Sequence, residues 1–346
     1  MSSTHTIPRT ATRTLAVGAV RPPLIRHLIR ALGLHPDDAA VTVDHWLRSE
    51  QAGKPCHGLV RALYVTGSGK FGRSDFGSSD GVPAPAPTRR GPGRLHVDGT
   101  GHLGYAVLQR LVEAGCAEAG RHGVGVATGV GVYPSGALGD WARLVCARGC
   151  GLVLMAGSPP RVAAPGGRTP LLGTNPICVG VPTTPHPFIC DTSTSAITHG
   201  DLLTARDEGA PLPPDAAVDR DGARTTAPAD VDPTAGLGAL LAIGGSHKAF
   251  ALAMAVELLT SLGGGVPGSP KLEEHGIFAV FLGPSLVADA IPALSERLAA
   301  FATAGARIPG WESARRLAGA TARDTVEVSV ATHARLAPLL RGEDLS

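Results

Sequence analysis

The sequence predicts an α/β protein, because strands and helices alternate along the middle of the chain. A strand-like segment at 95–99 is followed by a helical pattern over about 103–121, a glycine-rich strand at 124–132, a helix over about 137–148 and a strand at 152–157. This order is typical of α/β folds. The composition supports a folded core: 43% of the 346 residues are apolar and 17% are charged, whereas disordered chains are poor in apolar residues.

Two helices are expected before this region. Apolar residues at helical spacing run through 21–50, and Pro36-Asp37-Asp38 divides the run, because proline and acidic residues are favoured in the first turn of a helix. The segment 67–93 is rich in Gly, Ser and Pro, and we expect it to be a long loop.

The second half of the chain continues the alternation. Residues 177–190 predict strands interrupted by three prolines, and 207–235 has few apolar residues and predicts a second loop. An apolar helix is expected over about 247–262, a strand at 277–283 and a helix near 287–303.

Charge and hydropathy exclude several classes of protein. The chain has 31 basic and 29 acidic residues, a net charge of +2, so we expect no nucleic-acid partner. No apolar run approaches the roughly 18 residues of a membrane span. The apolar patch LAVGAV near the N-terminus is too short for a secretory signal, and residues 1–20 are expected to be a frayed tail.

The cysteines agree with a cytoplasmic protein that keeps reduced thiols. Six cysteines in 346 residues are too few for a disulfide scaffold. Cys146 and Cys150 are four residues apart but lack nearby His ligands or a second pair, so we expect no metal site.

The usual dinucleotide-binding motif is absent. Gly129 and Gly131 fit the first half of G-x-G-x-x-G, but Pro134 stands at the last position and no acidic residue follows in 151–157. A Rossmann or P-loop fold is therefore disfavoured, and we expect these glycines to permit close packing of strands.

A first group of candidate site residues lies at 54–69. If 57–64 is helical, then His57, Arg61 and Tyr64 share one face. Arginine binds a carboxylate through two parallel hydrogen bonds, while His and Tyr can transfer protons. The alternative, an amphipathic helix with a surface arginine, stays open.

Three further segments have residues suited to a ligand. Gly173 precedes Asn175-Pro176, the run 191–195 is crowded with hydroxyls, and Gly244-Gly245 with Lys248 precedes the apolar helix. Hydroxyls and helix N-termini bind phosphate and ribose groups. The alternatives are a turn before a strand, a helix N-cap at 191–195 and a loop with one solvated lysine.

Taken together and in this order, these segments resemble the malate/L-lactate dehydrogenase family of the non-Rossmann type. Cys56-His57-Gly58 with Arg61 is similar to the family's Ser-His-Gly-x-x-Arg motif, with Cys in place of Ser. The run 173–176, the hydroxyl-rich run with Gly200, the Gly-Gly-Lys segment and 308–312 are similar to its other motifs.

The resemblance implies an enzyme that uses NADH or NADPH to reduce a 2-oxo acid, or a related cyclic or 2-imino carboxylate. It implies a homodimer whose non-Rossmann cofactor-binding domain has a mixed sheet. A helical domain would be formed by the N- and C-terminal segments, with divisions at 20–66, 67–265 and 266–346.

The residue chemistry and the resemblance together give the candidate site residues, and the resemblance itself implies Arg61 as the carboxylate clamp. The catalytic and substrate-binding candidates are His57, Arg61, Tyr64, Tyr133 and Ser135. The cofactor-binding candidates are Ser158, Asn175, Thr192, Ser193, Thr194, Gly245, Lys248 and Gly310.

One departure from the family concerns the chemistry directly. The family places its proton-transferring histidine where this chain has Pro134, and proline cannot transfer a proton. The candidates to replace it are His57, whose ordinary pKa is about 6.5, and Tyr133, Tyr64 or Ser135. An iminium substrate needs only hydride. The alternative is a non-redox enzyme or binding protein on the same scaffold.

Overall fold

The computed structural model describes residues 11–67 and 81–343 and confirms the α/β class. The helices are α1 (Val17–Leu32), α2 (Pro36–Gln51), α3 (Val60–Gly67), α4 (Gly104–His122), α5 (Leu138–Cys146), α6 (His199–Glu208), α7 (His247–Ser261), α8 (Pro284–Val287), α9 (Ile291–Thr303), α10 (Trp311–Ala322) and α11 (Val330–Leu340). The strands are β1 (Thr12–Ala16), β2 (Thr88–Arg89), β3 (Arg94–Asp98), β4 (Val124–Val130), β5 (Gly151–Ala156), β6 (Val162–Ala163), β7 (Pro170–Leu172), β8 (Ile177–Val181), β9 (Phe188–Thr192), β10 (Ala217–Val218), β11 (Arg224–Thr225), β12 (Ala239–Leu240), β13 (Gly276–Leu282) and β14 (Thr325–Ser329).

The central sheet is mixed, which separates it from a parallel Rossmann sheet. Its strand order is β2-β3-β4-β13-β5-β8-β9. Only β3 and β4 run parallel; β13 pairs antiparallel with both β4 and β5, and Ala279 lies opposite Ala127 and Leu154. A smaller sheet has the order β11-β10-β12-β6-β7. The predicted loop 207–235 is wrong in part, because the short strands β10 and β11 lie within it.

Helices cover both faces of the central sheet. On one face Phe281 of β13 packs against α4, where a Cβ on Gly115 would lie 2.3 Å from the ring. Gly276 is five residues before Phe281 and therefore faces the other side of the sheet. A Cβ on Gly276 would lie 2.4 Å from the Thr260 carbonyl oxygen of α7. These glycines allow the helices to approach the sheet closely.

The two ends of the described chain meet in a helical layer. β1 pairs antiparallel with β14, with Thr12 opposite Ser329, and α1 packs against α2 and α11. The expected frayed tail is therefore wrong for residues 11–20, because the patch LAVGAV completes a strand and begins α1. The strand β13 comes from the 266–346 segment and lies in the central sheet.

Most predicted helices and strands are confirmed to within a few residues, with one exception that affects the site. The segment 57–64 is not a single helix: residues 55–57 form a 3-10 turn, and α3 begins only at Val60. Of the predicted loop 67–93, residues 68–80 lie outside the described part; 81–93 is irregular apart from β2. Within the described residues no helix is long and apolar enough to cross a membrane.

Candidate active site

A cleft of about 890 Å³ lies among the α2–α3 connection, the loop after β4 and the segments after β5 and β9. Its volume is within the roughly 300–1,000 Å³ of small-molecule and cofactor sites. The predicted site residues that line it are His57, Arg61, Tyr133, Ser135, Ser158, Thr192, Ser193 and Gly310. Residues far apart in the sequence therefore meet in one cavity.

Arg61 is the main charged group in this cleft. Its side chain is buried, Nε donates to the Cys56 carbonyl at 2.8 Å, and the guanidinium lies 5.5 Å from the Tyr64 ring centre. Within residues 11–67 and 81–343 it forms no ion pair with a carboxylate. A Cβ on Gly200 would lie 3.0 Å from Nη2, so the glycine makes room for the guanidinium. A buried cation without a counterion favours an anionic ligand.

His57 lies in the 3-10 turn before Arg61. Burial and the nearby positive charges of Arg61 and Lys54 hold its pKa well below its ordinary range. This environment favours the neutral imidazole at pH 7. Its Nδ1 has no hydrogen-bond partner in the described part of the chain.

Tyr64 lines a second, adjoining cavity of about 560 Å³ rather than the main cleft. Burial first, and then contact with Tyr133, raises the pKa of Tyr64 to about 12. Tyr133 lines both cavities, as does Arg161. The two phenols therefore lie at the boundary between the cavities.

The loop that contains Pro134 is fixed by a buried charged cluster, which we call the Asp140 cluster (His45, Arg48, Asp140 and Arg143). His45 Nε2 accepts a hydrogen bond from the Ala137 amide at 3.0 Å, and its Nδ1 lies 3.1 Å from Asp140 Oδ2. Both Arg48 and Arg143 also donate to Asp140. Burial alone would raise the pKa of Asp140, but interactions with His45 first and then with Arg48 hold it well below its usual range.

A wall of hydroxyl groups forms another side of the cleft. Ser193 Oγ donates to the Thr174 carbonyl at 2.9 Å and lies 2.6 Å from Ser195 Oγ, while the Thr174 amide donates to Ser158 Oγ at 3.0 Å. The hydroxyls are held in place by the backbone and keep acceptor lone pairs for a ligand. The alternative interpretation of 191–195 as a helix N-cap is wrong, because α6 begins at His199 and is capped by Thr198.

The other predicted cofactor residues lie away from the cleft lining. Asn175 is buried and donates to Glu257 Oε2 at 2.7 Å, and Thr194 is buried and donates to the Thr174 carbonyl at 3.1 Å. Gly245 has a φ of +60° near the start of α7, and Lys248 is exposed in its first turn. Their roles stay predictions; Gly244 marks where this segment reaches the cleft.

Sequence reasoning missed two groups in this region. His45 and Asp140 are 95 positions apart and only the fold joins them. Arg161 follows two prolines, which read as an ordinary turn, yet its side chain is 3% exposed and lines both cavities. Within the described residues no group of three or more His, Cys, Asp or Glu could hold a metal ion.

The mixed sheet and the hydroxyl-lined cleft with its buried guanidinium define an α/β protein outside the Rossmann class. Residues 23–336 match the family model described as malate/L-lactate dehydrogenase. The chain belongs to this family of oxidoreductases.

Curated relatives and a solved structure also support membership of this family. The chain is 34% identical over 288 residues to a Delta(1)-pyrroline-2-carboxylate reductase of Ancylobacter novellus, covering 80% of this chain and 81% of the relative. It is 30% identical over 280 residues to an L-sulfolactate dehydrogenase of Methanothermobacter thermautotrophicus, covering 77% and 78%. The crystal structure of delta1-piperideine-2-carboxylate reductase from Pseudomonas syringae is 28% identical, with a TM-score of 0.80 over 94% of this chain and 99% of that one.

Proposed function

We propose that this protein uses NADH or NADPH to reduce a small 2-oxo acid or a cyclic or 2-imino carboxylate. The observation that carries the proposal is Arg61, a buried guanidinium with no carboxylate partner within the described residues, facing a cleft of ligand size. Family membership supports the redox class, and the relatives named above include both a hydroxy-acid dehydrogenase and imine reductases.

The cleft has the donors and acceptors that a dinucleotide needs. Ser158, Thr192 and Ser193 present hydroxyls, and Gly244 brings backbone to the same cavity. When bound, a reduced nicotinamide supplies a hydride. Arg61 would bind the substrate carboxylate through two hydrogen bonds and so fix the position of the carbon that accepts it.

Among these substrates the site favours an imine. A neutral His57 is a poor proton donor, the raised pKa of the Tyr64 phenol makes it a weak acid as well, and Pro134 has no proton to give. Reduction of an iminium needs only hydride, because its nitrogen already has a proton. For a 2-oxo acid, Tyr133 or Ser135 would have to donate the proton to the new alkoxide.

The test is turnover of NADH and NADPH with a panel of acids. The panel contains Δ1-pyrroline-2-carboxylate, pyruvate and oxaloacetate, with loss of absorbance at 340 nm as the readout. Turnover of the imine should exceed that of pyruvate, because both acids have one carboxylate and only the oxo acid needs a proton from the protein. Nucleotide binding without oxidation of any of them would favour the non-redox alternative, and failure to bind either nucleotide at millimolar concentration would reject a nicotinamide enzyme.

We also propose that the protein is a homodimer. The exposed stripe of α7 contains Met254, Leu258 and Leu262, whose exposed fractions are 42%, 64% and 68%. An apolar stripe of this kind marks an interaction surface. Light scattering after size exclusion should give the mass of two chains, and Leu258→Asp should give one; a wild-type monomer at micromolar concentration would contradict the proposal.

A further inference from the structure

Arg161 is a second buried guanidinium whose charge the protein does not balance. It lies between β5 and β6, with 3% of its surface exposed. Within the described residues its side chain forms one hydrogen bond, which is long and goes to a neutral group, from Nη1 to Thr234 Oγ1 at 3.4 Å. Within the described residues it forms no ion pair, and a guanidinium has five N–H donors.

The backbone fixes Arg161 at this place. Its amide donates to the Leu172 carbonyl at 2.7 Å, and its carbonyl accepts from the Leu240 amide at 2.8 Å, so both sides of the residue are held in the smaller sheet. The side chain therefore starts from a rigid position at the boundary of the main cleft and the second cavity.

Arg61 and Arg161 belong to one cationic region. The Arg61 guanidinium lies 5.5 Å from the Tyr64 ring centre, and Tyr64 lines the second cavity together with Arg161. Both arginines act electrostatically on the Tyr64 hydroxyl. Leaving one buried cation without an anion is costly, and leaving two in one region is costlier, unless the ligand provides two negative groups.

We propose that Arg161 is a specificity-determining residue that binds a second acidic group of the substrate, while Arg61 binds the carboxylate next to the reacting carbon. This rests on the proposed function for the location of the substrate, and it narrows the substrate class to small acids with two anionic groups. A guanidinium matches the geometry of a carboxylate through two parallel hydrogen bonds, so we take the second acidic group to be a carboxylate.

The test measures binding, so it does not depend on turnover. Succinate and butyrate both have four carbons and differ by one carboxylate in place of a methyl group. Each is titrated calorimetrically into the full-length protein saturated with nucleotide, or into the free protein if no nucleotide binds. Wild type should bind succinate at least tenfold more tightly than butyrate. Arg161→Gln should remove this preference and leave butyrate binding unchanged, whereas Arg61→Gln should weaken both.

A matched control separates this effect from a general loss of positive charge. Arg316 lies at the rim of the cleft, is exposed and pairs with Glu312, so Arg316→Gln should keep the succinate preference. Equal affinities of wild type for the two acids, or a preference that survives in Arg161→Gln, would overturn the proposal.

The same chemistry could serve a nucleotide phosphate, and a second titration distinguishes the two ligands. NADH and NADPH are titrated into wild type and Arg161→Gln. An unchanged nucleotide Kd is expected. A tenfold or greater loss of nucleotide affinity with an intact succinate preference would assign Arg161 to the cofactor and overturn the substrate role.

Discussion

The two buried cationic regions of the cleft differ in how their charge is balanced. In the Asp140 cluster, Arg48 and Arg143 share a carboxylate that is 2% exposed, and His45 links it to the loop at Ala137. Around Arg61 and Arg161 no carboxylate forms such a pair within the described residues. The first region holds a loop in place whether or not a ligand is present. Under the proposed function, an anionic substrate balances the second region, and this difference would separate structural arginines from functional ones.

The largest expected effect is on stability, at Asp140. Asp140→Asn would leave the buried His45 and the partly buried Arg48 beside a weak neutral partner, and breaking a buried pair costs about 3–5 kcal/mol. We expect this loss in the free energy of unfolding, measured by urea denaturation at pH 7. Because the folded-state pKa of Asp140 is depressed, its contribution is present above the unfolded pKa near 3.9 and is lost as the pH falls below it.

The control for this variant is an ion pair near the surface. Arg21 donates to both oxygens of Asp44 at 2.6 and 2.9 Å, but the two side chains are 40% and 34% exposed. Asp44→Asn should therefore cost at most about 1 kcal/mol. Equal losses in the two variants would show that the Asp140 cluster is no more important than a surface pair.

These two regions also show what the sequence can and cannot predict. α2 begins at the predicted Pro36 and α4 begins within one residue of its predicted start, because apolar spacing and terminal residues are local signals. Arg61 and the hydroxyl run were found because they lie in compact motifs. The break at Gly58 was missed, since it depends on Glu50: a Cβ on this glycine would lie 1.9 Å from Glu50 Oε2, which accepts from the Leu59 amide.

Unbalanced charge could not be predicted from the sequence at all. Nothing near Arg161 in the sequence distinguishes it from Arg168 or Arg220, and its burial comes from contacts with residues near 172, 234 and 240. Whether an arginine has a counterion is a property of the assembled fold. The motifs therefore locate the cleft, while the charge balance within it needs the structure.

The next effect concerns ligand affinity rather than stability. Arg61→Gln should lower kcat/KM roughly 30- to 1,000-fold, because a charge-assisted carboxylate pair is lost. This corresponds to a loss of about 2–4 kcal/mol in transition-state stabilisation. Its free energy of unfolding should stay equal or rise, since an unpaired buried cation is removed. Steady-state kinetics on the acid that turns over fastest, together with urea denaturation, measure both quantities.

The two variants are therefore expected to differ: Asp140→Asn should lower the free energy of unfolding, whereas Arg61→Gln should lower kcat/KM without lowering stability. Arg316→Gln again serves as the control and should change kcat/KM by less than threefold. A large loss of stability in Arg61→Gln with no change in kcat/KM would place Arg61 with the structural arginines.

A smaller effect is expected in the pH dependence of stability. The pKa of His57 is depressed in the folded state, so below the ordinary value near 6.5 the unfolded chain binds more protons and stability falls as pH falls. Between pH 7 and pH 5 one histidine with an unfolded pKa near 6.5 can contribute at most about 2 kcal/mol to this loss. His57→Gln should therefore lose less stability than wild type over this interval, by at most that amount.

The background for this measurement comes from other buried histidines. His275 has a pKa lowered to about 4, mainly by burial, and is retained in the variant, so some slope should persist. Parallel stability curves for wild type and His57→Gln would mean that His57 titrates normally, and the argument against it as a proton donor would fail.

The smallest expected effect is in the hydroxyl wall, where the polar groups satisfy one another. Ser193→Ala removes the donor to the Thr174 carbonyl and the acceptor for the Ser195 amide, at 2.9 and 3.1 Å. A neutral hydrogen bond contributes about 1 kcal/mol, so we expect a loss of that size in stability and a rise in the nucleotide Kd of less than about tenfold. Thr303→Ala, whose hydroxyl donates only to its own helix on an exposed face, is the matched control and should change neither. A loss of nucleotide affinity in Ser193→Ala as large as the loss of kcat/KM expected for Arg61→Gln would contradict this ranking. The hydroxyl wall would then contribute as much to ligand binding as the guanidinium, and unbalanced charge would not be the main feature of the proposed binding side of the cleft.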